Sequence, residues 1–155
     1  MKDQRRGARI SMDPAERDQF LAEQRTCRVA TVGADGAPHV TPMWFVWDGS
    51  ALWLTSLVRS QRWTDLQRDG RVSVVVDAGE DYMDLRGVEI RGSASAVGEV
   101  PRTGEPIPEL DAVERLNADK YAGGQIFHDG RHGWLRVEPE KIVSWDFRKL
   151  SAPKV

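Results

Sequence analysis

The chain has 155 residues, 22 basic and 24 acidic, for a net charge of −2. That length suits one domain around one core, and the balanced charge argues against a nucleic-acid binder, which needs a basic excess. No run approaches the roughly 18 apolar residues of a membrane helix, so no membrane partner is expected.

The start, MKDQRRGARI, is basic but lacks the apolar stretch of a secretory signal. Residues 1–11 are expected to form a flexible tail, 12–150 a single domain, and 151–155 a C-terminal tail. Asp13-Pro14 marks a helix start, with Asp13 as cap and Pro14 in the first helical position, running to about Arg25. Extended structure follows at 28–32. Cys27, the single cysteine, lies just before it in CRVATV and reads as a buried, inert thiol. One cysteine leaves no internal disulfide, and a cytoplasmic location is the default expectation.

Gly36 in Ala34-Asp35-Gly36-Ala37 fits a hairpin turn before a longer strand at 38–47, and Asp48-Gly49 turns the chain into a third strand at 51–56. These three are expected to form a meander. A short helix at 60–68 would share Trp63 and Leu66 on its buried face. A strand at 71–77 and a long one within 82–100 come next, with Gly87 and Gly92 as candidate bends. A Pro/Gly-rich connection leads to a helix at 111–121, with Val113, Leu116 and Tyr121 inward. The last two strands are expected at 133–137 and 142–147, parted by Glu138-Pro139-Glu140. About seven short, mostly antiparallel strands with three peripheral helices favour a small barrel over a parallel sheet.

The catalytic inventory is empty. No CxxC, HExxH, GxSxG, Walker or GxGxxG pattern occurs. His128 and His132 are four apart, but Asp129-Gly130 between them favours a turn over a helix, and no metal site is expected. If the protein is an enzyme, a bound cofactor carries the chemistry. Two stretches could serve one. In LTSLVRSQRW, Ser60 caps the helix, and its hydroxyl, the Gln61 amide and the Arg62 guanidinium make a donor set suited to a phosphate. Arg59 could join them or face solvent. An ordinary capped helix with solvated arginines is the alternative reading. In the strand at 38–47, alternation puts Met43, Phe45 and Trp47 on one face and Trp44 and Val46 on the other. A core covers one face; a partner, a flat ligand or further core covers the other.

The ordered set RVATVGADGAPHVTPMWFVWDGSALWLTS, SQRWTDLQRDGRVSVVVD and LRGVEIRGSAS resembles the split β-barrel flavin and deazaflavin oxidoreductases, the pyridoxamine 5′-phosphate oxidase-like superfamily. The likeness spans roughly residues 13–148. It is greatest to the actinobacterial branch that binds the deazaflavin F420, whose TxxxDGxPHxxPxW pair fits Thr31 to Trp44 and whose LxRDxRVS fits Leu66 to Ser73. SWDFRKL, at 144–150, is similar to one subgroup. The resemblance implies a homodimer with cofactor sites at the interface and a small-molecule substrate. It implies a phosphate held at Ser60, Gln61 and Arg62, where many relatives have lysine at the last position. It places the ring along Pro42, Met43 and Trp44 and along Leu54, Thr55 and Ser56, with Trp145 and Arg148 facing the partner's site. Arg59, Arg68, Arg86 and Arg91 are candidates for the acidic F420 tail. FMN is the alternative cofactor, and a non-catalytic cofactor- or haem-binding protein the alternative role. The arginine-rich C-terminal motif of true pyridoxamine-phosphate oxidases is not seen, so that oxidation is not expected. The residues identify no proton donor; Tyr82 and water are unsupported candidates.

Overall fold

The computed structural model describes residues 1–151, so the expected C-terminal tail beyond Ser151 lies outside the described residues. Seven strands make one antiparallel sheet: β1 (Thr26–Val32), β2 (Pro38–Trp44), β3 (Val46–Trp47), β4 (Leu52–Leu57), β5 (Arg71–Ala78), β6 (Arg86–Val97) and β7 (His132–Asp146), in the order β2-β1-β5-β6-β7-β4-β3. Three helices, α1 (Pro14–Glu23), α2 (Gln61–Arg68) and α3 (Pro108–Tyr121), lie around it. This is the mainly β, split-barrel architecture expected.

The strand count agrees through two differences that cancel. The expected strand at 38–47 breaks at Phe45, and its halves sit on opposite edges of the sheet. The simple meander is therefore replaced by a strand that leaves one edge and joins the other. The Tyr121 hydroxyl holds the break: it accepts from the Phe45 N–H at 3.1 Å and lies 2.8 Å from the Phe45 carbonyl. Conversely, the two expected final strands are one. Pro139 does not stop β7 because it lies opposite Gly92, where the β6–β7 register shifts at a bulge. A proline lacks a ladder donor, and a bulge is where a sheet tolerates that. Gly92 is required there, since a Cβ would sit 1.9 Å from the Glu138 carbonyl oxygen. Gly87 does not bend its strand; it leaves room for the Trp145 ring.

Helix α1 starts as expected, with a capping box between Asp13 and Glu16, and buries Phe20 and Leu21. Helix α2 is capped by Ser60, whose side chain accepts from the Trp63 N–H. Its Trp63 and Leu66 enter the main core with Val29, Leu54, Val74, Ile90 and Leu135. Burial of side chains that size is worth about 1.5–3 kcal/mol each. Helix α3 begins earlier than expected and covers the outer face of β3, β4 and β7, with Leu110 and Val113 on Val46, Trp53 and Trp134. Its buried row is Leu110, Val113, Glu114 and Ala118, so Leu116 faces out rather than in.

The segment expected as a flexible tail lies along the second edge of β7. The Lys2 N–H donates to the Glu140 carbonyl, and the Gln4 side-chain amide makes both bonds to the Ser144 peptide at 3.0 and 2.9 Å. Among the described residues, no helix is long and apolar enough to cross a membrane.

Candidate functional site

The sheet order leaves a seam. One edge of β2 is unpaired, and β3 pairs only with Leu52 and Trp53, so β4 from Leu54 to Leu57 has an open edge. Arg62, in the first turn of α2, crosses this seam. Its Nε donates to Ser56 Oγ on β4 at 3.1 Å, and its Nη1 donates to Thr41 Oγ1 on β2 at 2.8 Å. The Ser60 hydroxyl lies 3.4 Å from that of Ser56. Three hydroxyls and one guanidinium thus meet where a helix begins.

The charge balance at this point decides what the cluster can do. Arg62 is half-buried, and desolvation draws its pKa down. Both of its partners are neutral. Arg17, Arg28, Arg68, Arg71, Arg91, Arg102, Arg131, Arg136 and Arg148 all have carboxylates within 4 Å, whereas Arg62 has none among the described residues. A partly desolvated cation without a counter-charge is an anion receptor in its chemistry. The α2 N-terminus adds its unpaired N–H groups and dipole. The open β2 and β4 edges offer backbone donors and acceptors to the polar rim of a flat ligand. The donor set therefore fits the phosphate of a bound cofactor.

The other expected site residues divide. Ser56, Ser60 and Arg62 come together. Gln61 does not join them: its amide donates to Asp65 Oδ1 at 2.8 Å, helping to hold a buried carboxylate that also accepts from Thr31 and Arg68. Met43 and Leu54 are core side chains and can offer only backbone. Pro42, Trp44 and Thr55 stand on the opposite face of their strands from Ser56. Trp44 is 53% exposed and stacks on Tyr121, with ring centroids 4.4 Å apart and planes at 7°. The Arg25 guanidinium lies over both rings. Arg59 is exposed and lines a recess with Pro101, Arg131 and Ser60. Trp145 and Arg148 lie at the far end of β7 from the seam. Trp145 covers Gly87, and Arg148 pairs with Asp146 at 2.6 Å. One protomer does not bring them to Arg62.

Sequence reasoning missed Thr41 and Tyr121. Thr41 could be found from alternation, because it shares the inward face of β2 with Met43. Tyr121 could not, because its partner Phe45 is 76 positions away. Burial pushes the Tyr121 phenol up to about 12, so it remains a donor. Burial likewise pushes the Cys27 thiol up to about 12, in keeping with an inert core cysteine. Among the described residues, no group of three metal-ligating side chains occurs.

Fold and seam together define a split β-barrel of the flavin-type oxidoreductase or cofactor-binding class. The family model described as pyridoxamine 5′-phosphate oxidase matches residues 13–146, and the chain belongs to that family. A search of curated proteins finds no match. Among solved structures, the conserved hypothetical protein Rv2991 from Mycobacterium tuberculosis is 34% identical over 99% of this chain and 96% of its own, with a TM-score of 0.80. An F420 reductase is 24% identical over 81% of this chain and 94% of its own, with a TM-score of 0.60. The haem storage protein HutZ from Vibrio cholerae is 18% identical over 81% and 90%, with a TM-score of 0.64. The last two share the fold.

Proposed function

We propose that this protein is an F420-dependent oxidoreductase, a reductase that acts as a cytoplasmic homodimer on a small electron-poor or conjugated substrate. The observation that carries the reading is the uncompensated, half-buried Arg62 guanidinium on hydroxyls at the seam. When bound, the deazaflavin supplies the hydride chemistry. The chain's own residues bind, orient and exclude water. Arg62, Ser56, Ser60 and Thr41 hold the phosphate, and the open edges of β2 and β4 meet the ring's polar rim.

Two further observations favour F420 over FMN. A relative of the same fold is an F420 reductase. The acidic tail that distinguishes F420 also has cations available beside the cradle. Arg59 has no carboxylate partner among the described residues, and Arg131 has only a 3.7 Å contact to Asp129. The other tail candidates are engaged: Arg68 with Asp65, Arg91 with Glu89, and Arg86 over the Phe20 ring. The outer face of β2 carries Val40, 64% exposed, Pro42 and Trp44, an apolar surface suited to a second copy.

Titration of the apoprotein with F420 and with FMN, each followed by calorimetry, tests the reading. F420 is expected to bind more tightly. Submicromolar FMN affinity with no F420 binding would overturn it. Tight F420 binding without turnover on a panel of enones and quinones would favour a carrier. Light scattering at micromolar concentration should give the mass of a dimer, and a monomer would refute the assembly.

A further inference from the structure

The loop after α3 carries an acid–base pair that none of these roles uses. Asp129 accepts from the backbone N–H of Arg131 at 2.8 Å, from that of His132 at 3.0 Å, and from His132 Nδ1 at 2.5 Å. Desolvation opposes ionisation of Asp129, but these bonds outweigh it and hold its pKa below the usual carboxylate range. An ionised Asp129 fixes a proton on His132 Nδ1 and orients the ring. The other nitrogen, Nε2, has no partner among the described residues.

His132 points to the outer face of β7, as does Trp134, and Thr55 stands across the ladder from Trp134. These three line a cleft of about 240 Å³ together with Tyr121, Phe127 and Trp44. Phe127 is 83% exposed, a large ring left in water beside a concave site. The cleft's charge selects its occupant. Two carboxylates, Glu114 and Asp129, are in the wall. The arginine in that wall, Arg102, is consumed by Glu99 and Glu114. His128 is engaged by Glu114 at 2.7 Å. Among the described residues lining the cleft no permanent cation is left without a carboxylate, while flat aromatic walls and one free imidazole nitrogen suit a neutral planar carbonyl compound. Thr55 faces this cleft and its neighbour Ser56 faces the cradle, so the two sites share β4.

We propose that this cleft binds the electron acceptor, a small neutral conjugated carbonyl compound, that His132 is its proton donor, and that Asp129 is the positioning residue. The role in turnover rests on the oxidoreductase reading. With the reduced cofactor held by Arg62, Ser56, Ser60 and Thr41, it would supply a hydride to the β-carbon of the acceptor, and the C=C electron pair would move toward the carbonyl. The resulting enolate takes the Nε2 proton of the His132 imidazolium at its α-carbon. One hydride and one proton add across the double bond, and neutral His132 regains a proton from solvent. The charged or titratable groups around His132 are Asp129, Glu114, His128, Arg102 and Arg131.

The test begins on the full-length apoprotein, labelled with ¹³C at histidine Cε1, with cyclohex-2-enone as probe. The enone is expected to shift the His132 resonance, assigned by its loss in His132→Gln, and to quench tryptophan fluorescence. An unmoved His132 resonance at saturating enone would overturn the cleft, whatever cofactor binds. With F420 loaded, His132→Gln should lower kcat at least tenfold and leave the F420 Kd unchanged. Asp129→Asn should shift the alkaline limb of the kcat–pH profile to lower pH, because the carboxylate that favours the His132 imidazolium is lost. Wild-type turnover by His132→Gln would overturn the proton-donor role. Failure of F420 to bind would sink the cofactor reading alone, because the enone shift is read without it. The His128 resonance and circular dichroism verify folding of each variant.

Discussion

Arg62→Ala separates two roles that the same geometry allows. As a receptor, Arg62 meets a phosphate; as a staple, it ties β2 to β4 across the seam through Thr41 and Ser56. In the apoprotein, the substitution removes two hydrogen bonds to neutral hydroxyls, each worth about 0.5–1.5 kcal/mol net. It also removes a half-buried charge that no carboxylate offsets, which returns stability. These terms oppose, so urea unfolding of the apoprotein should change by less than about 1 kcal/mol. Cofactor binding has no such cancellation. Loss of a hydrogen bond to a charged group costs about 1.5–3 kcal/mol, or about 10- to 150-fold in Kd. Calorimetry with F420 and with FMN measures it, and Arg62→Lys should fall between, since it retains the charge and loses the fork. An apoprotein destabilised by more than about 2 kcal/mol with unchanged affinity for both cofactors would show that Arg62 is a staple and that the phosphate sits elsewhere.

Other perturbations test the scaffold. Gly92→Ala should destabilise by about 3 kcal/mol in urea, because its Cβ would lie 1.9 Å from the Glu138 carbonyl oxygen and rigid backbone must move. An unchanged midpoint would mean that the bulge can relax. Tyr121→Phe should cost about 1–2 kcal/mol by stripping the Phe45 N–H of its acceptor at the strand break. Lys120 is half-buried above the Phe45 ring, and desolvation brings it down from 10.5 to about 8. The unfolded chain thus holds this proton where the folded one has lost it, so its contribution to stability rises with pH above about 8. The Cys27 thiol, held up near 12 from 9.0, opposes this above pH 9. Thermal midpoints between pH 7.5 and 9 should therefore rise more steeply in the parent than in Lys120→Met, and equal slopes would refute the assignment.

The parts of this fold legible in the sequence are those set by near neighbours. The caps at Asp13 and Ser60 act over three residues, and the structure keeps both. Breaks between strands depend on distant partners. Pro139 reads as an end until Gly92 bulges opposite it, and Phe45 reads as strand until Tyr121 satisfies its backbone. The site divides in the same way. Ser56, Ser60 and Arg62 are close in sequence and meet in space. Gln61 is adjacent to them yet is captured by Asp65, which no local rule signals. His132 reads in the sequence only with His128, as a four-residue metal-ligand spacing, and nothing local signals its pairing with Asp129 or the cleft beside it, which is assembled from β2, β4, α3 and β7.

The N-terminal segment has a consequence for solubility. Beyond Val137, β7 has left β4 behind, and its second edge would present bare peptide groups. Such an edge templates association with other chains. Lys2 and Gln4 cap it at Glu140 and Ser144, and the Gln4 amide imitates a peptide on both of its bonds. The basic leader therefore acts as a guard against sheet-to-sheet aggregation, and its arginines add charge at the guarded edge.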